Sequence, residues 1–336
     1  MKRFMYTSAL AVVAASAGVG MAQAQEDCGS VVIASMNWQS AEVLSEVDKF
    51  ILENGYGCSA EIITSDTVPA LTSMIEKGQP DVAPEGWVDL LPDVVDRGIA
   101  DGKIVSAGPA LSDGAVQGWW IPKYLADEHP DIKTISDALD HPELFPAPED
   151  PSKGAVYNGP QGWGGTAVSE QLFKAYDGAE KGFVLVDSGS AAGLDGSMAK
   201  AYERQDGWLG YYWAPTSMLG KYDMVKLDHG AELDMDQWEN CITVPECPDP
   251  QPTDWPVDSV ETLLTTDFAE RAGDGVMEYY KARSWSNDTV NALMAWMTDN
   301  QASGEDAAIY FLQNNEDLWK EWLPEDVAEK IRDSIN

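Results

Sequence analysis

The apolar positions of the chain alternate between short runs and helical stripes. After Cys28, the β-branched run Val31-Val32-Ile33 predicts a strand over 31–35. Val43, Leu44, Val47, Phe50 and Ile51 then fall on one face of a helix that Gly55 and Gly57 end. Residues 60–64 read as the next strand, 68–77 as the next helix, and Asp81-Val82-Ala83 as a short buried strand running into Pro84-Glu85-Gly86-Trp87. This alternation implies right-handed parallel βαβ units. The pattern resumes at Ala155-Val156-Tyr157, with a Gly-rich turn at 159–165, a helix at 166–176, a strand at 183–186, a helix at 198–204 and an apolar strand at 208–213. That is a second α/β unit. The extended apolar segments Gly118-Trp119-Trp120-Ile121-Pro122 and Met224-Val225-Lys226-Leu227 are suited to crossing between the units, and the hinge is expected there, within 118–122 and 222–227. Residues 234–258, rich in Pro, Asp and Trp, read as an ordered surface loop. The helical remainder should pack back on the first unit. The expected fold is therefore α/β with two lobes and a cleft between them, one lobe built from 25–118 and 226–336 and the other from 119–225.

The N-terminus changes the compartment. Lys2 and Arg3, an apolar stretch from Ala9 to Met21 and the small-x-small sequence Ala22-Gln23-Ala24 have the order of a cleaved export signal, so residues 1–24 are expected to be removed. The apolar stretch is shorter than the roughly 20 residues that span a bilayer. A monomer in the periplasm is expected. The formal net charge of −36 becomes more negative by two when Lys2 and Arg3 are lost. So acidic a body repels nucleic acid and anionic membranes, and its plainest meaning is adaptation to salt. Four cysteines in an exported chain point to two disulfides, with three pairings open. Cys28 with Cys58 is favoured because both precede candidate neighbouring strands, and Cys241 with Cys247 because it closes a local loop. Neither pair has zinc or redox spacing.

Thirteen tryptophans matter through their positions. Trp38 and Trp87 follow strand ends, Trp163 sits in the Gly-rich turn before a helix, and Trp213 closes a strand. Ligands of open parallel α/β sheets bind at the carboxyl ends of strands, so these four are expected to face one crevice, although burial in an ordinary core is the alternative for each. Trp238, Trp255, Trp285, Trp296, Trp319 and Trp322 read as packing residues, and one of Trp119 and Trp120 should point to the cleft. Indole faces around a cavity hold a quaternary ammonium group, which has no N–H to donate, through ring quadrupoles and apolar contact. Each ring contributes about 0.5–2 kcal/mol, so three or four supply much of the ~8 kcal/mol of micromolar affinity. Gly162-Trp163-Gly164-Gly165-Thr166 adds close backbone approach and free first-turn amides, an anion site without a cationic side chain; a plain helix-starting turn is the competing reading. Glu85 is either a support for the cation or an exposed acid.

Taken in order, Asn37-Trp38, Glu85-Gly86-Trp87, Gly118-Trp119-Trp120-Ile121-Pro122, Gly162-Trp163-Gly164-Gly165 and Tyr211-Tyr212-Trp213-Ala214-Pro215-Thr216 resemble the substrate-binding component of glycine betaine and related osmolyte ABC transporters. The resemblance spans nearly the whole chain after the leader. It implies a type II periplasmic-binding-protein fold and delivery of ligand to a membrane permease and its ATPase. It also implies that Trp87, Trp163 and Trp213 box a trimethylammonium group, with Trp38 as a fourth wall, and that the amides of Gly164 and Gly165 hold the carboxylate. Unlike some members, this sequence has no histidine near Trp87. The ligand is therefore left open among glycine betaine, trimethylamine N-oxide, choline, carnitine and dimethylsulfoniopropionate.

No cofactor is expected. The three histidines, His129, His141 and His229, are not close in sequence, and neither a G-x-S-x-G elbow nor a P-loop occurs. Ser197-Met198-Ala199-Lys200 matches the short S-x-x-K of some serine acyltransferases, the basis of a hydrolase alternative. A sugar ligand is the other alternative, disfavoured because sugar sites need many polar side chains. The carboxylates of 234–258 lack the EF-hand spacing for calcium.

Overall fold

The computed structural model describes residues 28–335, so the expected leader lies outside the described residues. Among the described residues, ten strands form two five-stranded sheets. The first has the order β2-β1-β3-β10-β4, from β1 (Ser30–Met36), β2 (Ser59–Ser65), β3 (Val82–Trp87), β4 (Ile104–Pro109) and β10 (Val260–Thr265). The second has the order β7-β6-β8-β5-β9, from β5 (Val116–Pro122), β6 (Gly154–Asn158), β7 (Phe183–Asp187), β8 (Gly210–Ala214) and β9 (Met224–Lys226).

The two units share one logic. In the first, β1 runs parallel to β2 and β3, and β10 is inserted antiparallel between β3 and β4. In the second, β6 runs parallel to β7 and β8, and β5 lies antiparallel to β8 and β9. Each sheet thus includes one strand that arrives from the other unit with reversed direction. The helix Gln39–Ile51 packs its apolar stripe, Val43, Leu44, Val47 and Ile51, into the core above the first sheet. Its charged side chains Glu42 and Lys49 are half-buried, and Glu42 Oε1 accepts from Gly304 N at 2.8 Å.

The segments expected to be crossings are strands of the second sheet instead. Both 118–122 and 224–226 are hydrogen-bonded in β5 and β9. An extended apolar run serves equally as strand or connector, and periodicity does not separate the two. The chain passes between sheets at 110–115 and again through 227–259. These stretches lie side by side: Ala115 N donates to Asp258 O and Asp258 N to Ala115 O, each at 3.0 Å. Residues 234–258 carry two short helical turns, Met235–Gln237 and Trp238–Ile242, with Trp238 and Trp255 buried.

Cys28 is bonded to Cys58 and Cys241 to Cys247. The first bond ties the parallel strands β1 and β2 together just before their first paired residues, Ser30 and Ser59. The C-terminal helices Asp274–Ala282, Gly304–Asn314 and Glu325–Ser334 pack on the first unit, where Trp285, Phe311 and Trp322 form one aromatic cluster. Trp296, half-buried, stacks on Tyr310 at 4.1 Å.

Candidate ligand-binding site

Strand geometry brings the aromatic residues together. β3 ends in Glu85-Gly86-Trp87, and the two-residue repeat of a strand puts the side chains of Glu85 and Trp87 on one face. Glu85 Oε1 accepts from Trp87 Nε1 at 3.0 Å and from Trp38 Nε1, just past β1, at 2.7 Å. Ser40 Oγ donates to the same oxygen at 3.1 Å. One buried carboxylate therefore fixes the edges of two indoles. Burial pushes the Glu85 carboxyl above its ordinary range, while the hydrogen bonds from Trp38, Trp87 and Ser40 and the positive charge of Arg283 oppose this. The exposed-acid reading of Glu85 is overturned: the strand buries it, at 1% exposure. It also stands behind the rings rather than among the residues lining the cavity.

The second unit supplies the facing wall. Trp163 precedes the helix Gly164–Ala175, and Trp213 lies near the end of β8. The Trp163 ring meets Trp38 edge-on at 5.4 Å and Trp213 edge-on at 5.1 Å. Trp163 Nε1 donates across the cleft to Asn37 Oδ1 at 2.5 Å, and Asn37 Nδ2 donates to Asp66 Oδ1 at 2.6 Å. Val68 N donates to Gly162 O at 3.1 Å and Ser217 Oγ to Gln39 Oε1 at 3.1 Å, so the two units also touch through these bonds. Trp38, Trp87, Trp163 and Trp213 line one cavity together with Gly164, Gly165, Thr67, Leu90, Gln117 and Tyr211.

Close backbone approach has a visible cause here. A Cβ on Gly164 would lie 2.7 Å from Leu90 Cβ, and one on Gly165 would lie 2.2 Å from Tyr211 Oη. No side chain caps the helix at Trp163, and its first turn holds no acidic residue. Its first amides lack intrahelical acceptors and carry the positive end of the helix dipole. Beyond Trp38 and Trp213 a wider chamber of about 460 Å³ opens, with Glu42, Glu46 and Asp195 among its walls. Burial pushes Asp195 up to about 6, against the hydrogen bond that Tyr212 Oη donates to it at 2.6 Å.

Neither Trp119 nor Trp120 lines this cavity, contrary to expectation. Trp119 is fully buried and donates to Ser169 Oγ at 2.9 Å, while Trp120 donates to Tyr212 O at 3.0 Å. On β5 it is Gln117, directly across from Trp213 on β8, that faces the cavity. Sequence reasoning also passed over Tyr211, although the residue two positions before Trp213 shares its strand face. Trp238 and Trp255 pack as a second layer, with Trp255 stacked on Tyr211 at 5.8 Å. Ser197 Oγ donates to Leu194 O at 2.7 Å and accepts from Trp208 Nε1 at 2.9 Å, while Lys200 is exposed on the helix surface. That serine ties its helix to the segment leading into β8 and is not set up as a nucleophile. No group of three or more acidic, Cys or His side chains among the described residues is arranged to hold a metal ion.

A family model described as the substrate-binding domain of the ABC-type glycine betaine transport system, OpuAC, matches residues 29–314. The chain belongs to this family. It is 22% identical over 327 residues to the trimethylamine N-oxide-binding protein of Pelagibacter ubique (strain HTCC1062), covering 95% of this chain and 98% of that one. Its fold is similar to that of the glycine betaine/L-proline-binding protein ProX from Borrelia burgdorferi, with a TM-score of 0.70, 21% identity, and 90% and 99% of the two chains covered. It is also similar to a choline-binding protein of an ABC transporter solved with choline, with a TM-score of 0.72, 18% identity, and 92% and 99% covered. As an OpuAC-family member the protein is a substrate-binding protein of an ABC transport system with the two-lobed binding-protein fold. The relatives matched are transport proteins rather than enzymes.

Proposed function

We propose that this OpuAC-family protein captures a small methylated ammonium compound between its two units, with the cationic head among Trp38, Trp87, Trp163 and Trp213. The observation that carries the proposal is the convergence of these four indoles, two from each unit, on one cavity beside an uncapped helix start. The rings supply cation–π attraction and apolar contact for a head that donates no hydrogen bond. The amides of Gly164 and Gly165 take the oxygen of a zwitterion such as glycine betaine or trimethylamine N-oxide. Glu85 contributes a negative charge behind two of the rings and holds both in place.

The sugar alternative finds little support, because Thr67, Gln117 and Tyr211 are the only polar side chains among the cavity-lining residues. In this reading the units are residues 28–115 with 260–335, and 116–226, and they rotate about the paired segments at Ala115 and Asp258. The filled protein delivers its cargo as a monomer to a permease and ATPase, after export to the periplasm and removal of residues 1–24. Titration calorimetry with glycine betaine, trimethylamine N-oxide, choline and a panel of sugars, alongside tryptophan emission, tests the reading. Binding heat and an emission change are expected with methylated amines. Their absence with all three, or tight binding of a sugar, would refute it.

A further inference from the structure

A three-residue hydrogen-bond chain runs under the cavity, and an aromatic cage alone has no need of it. Tyr211 Oη donates to Gln117 Oε1, and Gln117 Nε2 donates to Asp258 Oδ2 at 2.9 Å. All three side chains are buried, and the first two line the cavity. An ionised carboxylate only accepts, so Asp258 dictates which end of the Gln117 amide faces it. The amide oxygen then takes the single proton of Tyr211. What the Tyr211 hydroxyl offers to a ligand in this state is lone pairs.

Its position gives that polarity consequences. A Cβ on Gly165 would lie 2.2 Å from Tyr211 Oη and 2.8 Å from Gln117 Oε1, so both groups sit against the helix start whose amides are offered to ligand oxygen. An oxyanion placed there meets backbone donors on one side and a Tyr211 lone pair on the other. A ligand hydroxyl fits both, accepting from an amide and donating to Tyr211.

One proton on Asp258 reverses every link. The protonated carboxyl donates to the amide oxygen of a flipped Gln117, the Gln117 NH₂ donates to Tyr211 Oη, and the Tyr211 proton is released to point into the cavity. We propose that the Asp258–Gln117–Tyr211 chain sets the hydrogen-bond polarity of the site: methylated zwitterions bearing an oxyanion bind with uptake of one proton by Asp258, and methylated cations bearing a hydroxyl bind with Asp258 ionised. The inference rests on the tryptophan-cage reading. Burial, the largest influence, pushes Asp258 up to about 7; the charge of Asp89 adds to this, while Gln117, Trp255 and the charge of Lys226 oppose it. His229 lies one layer further out, edge-on to Trp255 at 6.3 Å. Both states of Asp258 are therefore accessible near neutrality.

The sign follows from linkage. An oxyanion complex favours protonated Asp258, so affinity is full below the free-protein value and is lost as pH rises through it, by about tenfold per pH unit at the steepest. The experiment is titration calorimetry of the full chain with glycine betaine and with choline, from about pH 6 to about pH 9, in two buffers of different ionisation enthalpy. Above about pH 8 glycine betaine should take up close to one proton and choline none, while near pH 7, where free Asp258 is about half protonated, glycine betaine should take up about half a proton and choline release about half. Asp258→Asn, whose amide can donate or accept, should bind glycine betaine independently of pH with the affinity the wild type shows at the acid end. Glycine betaine binding without proton uptake in the wild type, or with an unchanged pH profile in Asp258→Asn, overturns the proposal. The proton count in the unmodified protein keeps it refutable should that variant fold poorly. If neither ligand binds at all, the cage reading fails instead.

Discussion

Replacing Glu85 by Gln keeps the shape of the side chain and removes its charge. The indole N–H groups of Trp38 and Trp87 retain an oxygen to bond at the position where they now meet Glu85 Oε1, 2.7 and 3.0 Å away, so the rings should stay in place. What is lost is the attraction between a buried carboxylate and a cation over the ring faces. With the two charges roughly 7 Å apart and an effective dielectric of about 20, that attraction is about 2 kcal/mol, or roughly 30-fold in affinity. Choline should lose nearly all of this, whereas glycine betaine should lose less, because its carboxylate is repelled by the same charge. A neutral tert-butyl analogue should be indifferent to the substitution. Burial raises the Glu85 pKa in the folded protein, so its ionised form disfavours folding. The melting temperature of Glu85→Gln relative to the wild type should accordingly rise with pH through the carboxylate range. Calorimetry with the three ligands and melting curves at several pH values decide the matter. An equal loss for choline and the neutral analogue would show that Glu85 acts by shape alone and refute the electrostatic argument.

Trp163→Ala should weaken ligand binding about tenfold or more, since it removes a ring and the bond to Asn37, while Trp296→Ala, which unstacks Tyr310, should lower the melting temperature and leave affinity alone; comparable affinity losses at both sites would sink the assignment. Gly165→Ala forces a methyl to 2.2 Å from Tyr211 Oη and 2.5 Å from its Cζ, so binding should fall at least about tenfold by titration, and adding Tyr211→Phe, which leaves the ring carbon in the way, should not restore it. Removing the Cys28–Cys58 bond, which spans 30 residues, should cost about 3–4 kcal/mol in denaturant unfolding. Removing Cys241–Cys247, spanning 6, should cost less, and the reverse order would contradict the loop-entropy reasoning.

Much of the architecture is written in local patterns. The run Val31-Val32-Ile33 and the helical spacing from Val43 to Ile51 each specify an element without help from distant residues, and β1 and the helix Gln39–Ile51 lie where they predict. The status of 118–122 and 224–226 is not local. Whether an extended apolar segment bonds into a sheet depends on partners such as Tyr211 and Tyr212, about ninety residues away. The same distance hides the polar half of the cavity. Gln117 resembles any glutamine on a strand until Asp258, in an acid-rich loop 141 residues on, is found at its amide. Tryptophans at strand ends announce themselves because large aromatics are seldom placed at loop starts without a use. Trp119 shows the limit of that signal, because its neighbour in the sequence is equally aromatic and only the alternation of β5 decides which side each takes.

The division of the rings between the halves has an effect on unloading. Trp38 and Trp87 lie on the first unit and Trp163 and Trp213 on the second, and polar links such as Asn37 to Trp163 and Val68 to Gly162 join the two. Under the proposed function, parting the units would separate the two pairs of rings and free the captured molecule. On that reading, a partner that pries the units apart would dismantle the container in a single stroke, making tight retention in transit compatible with complete discharge at the membrane.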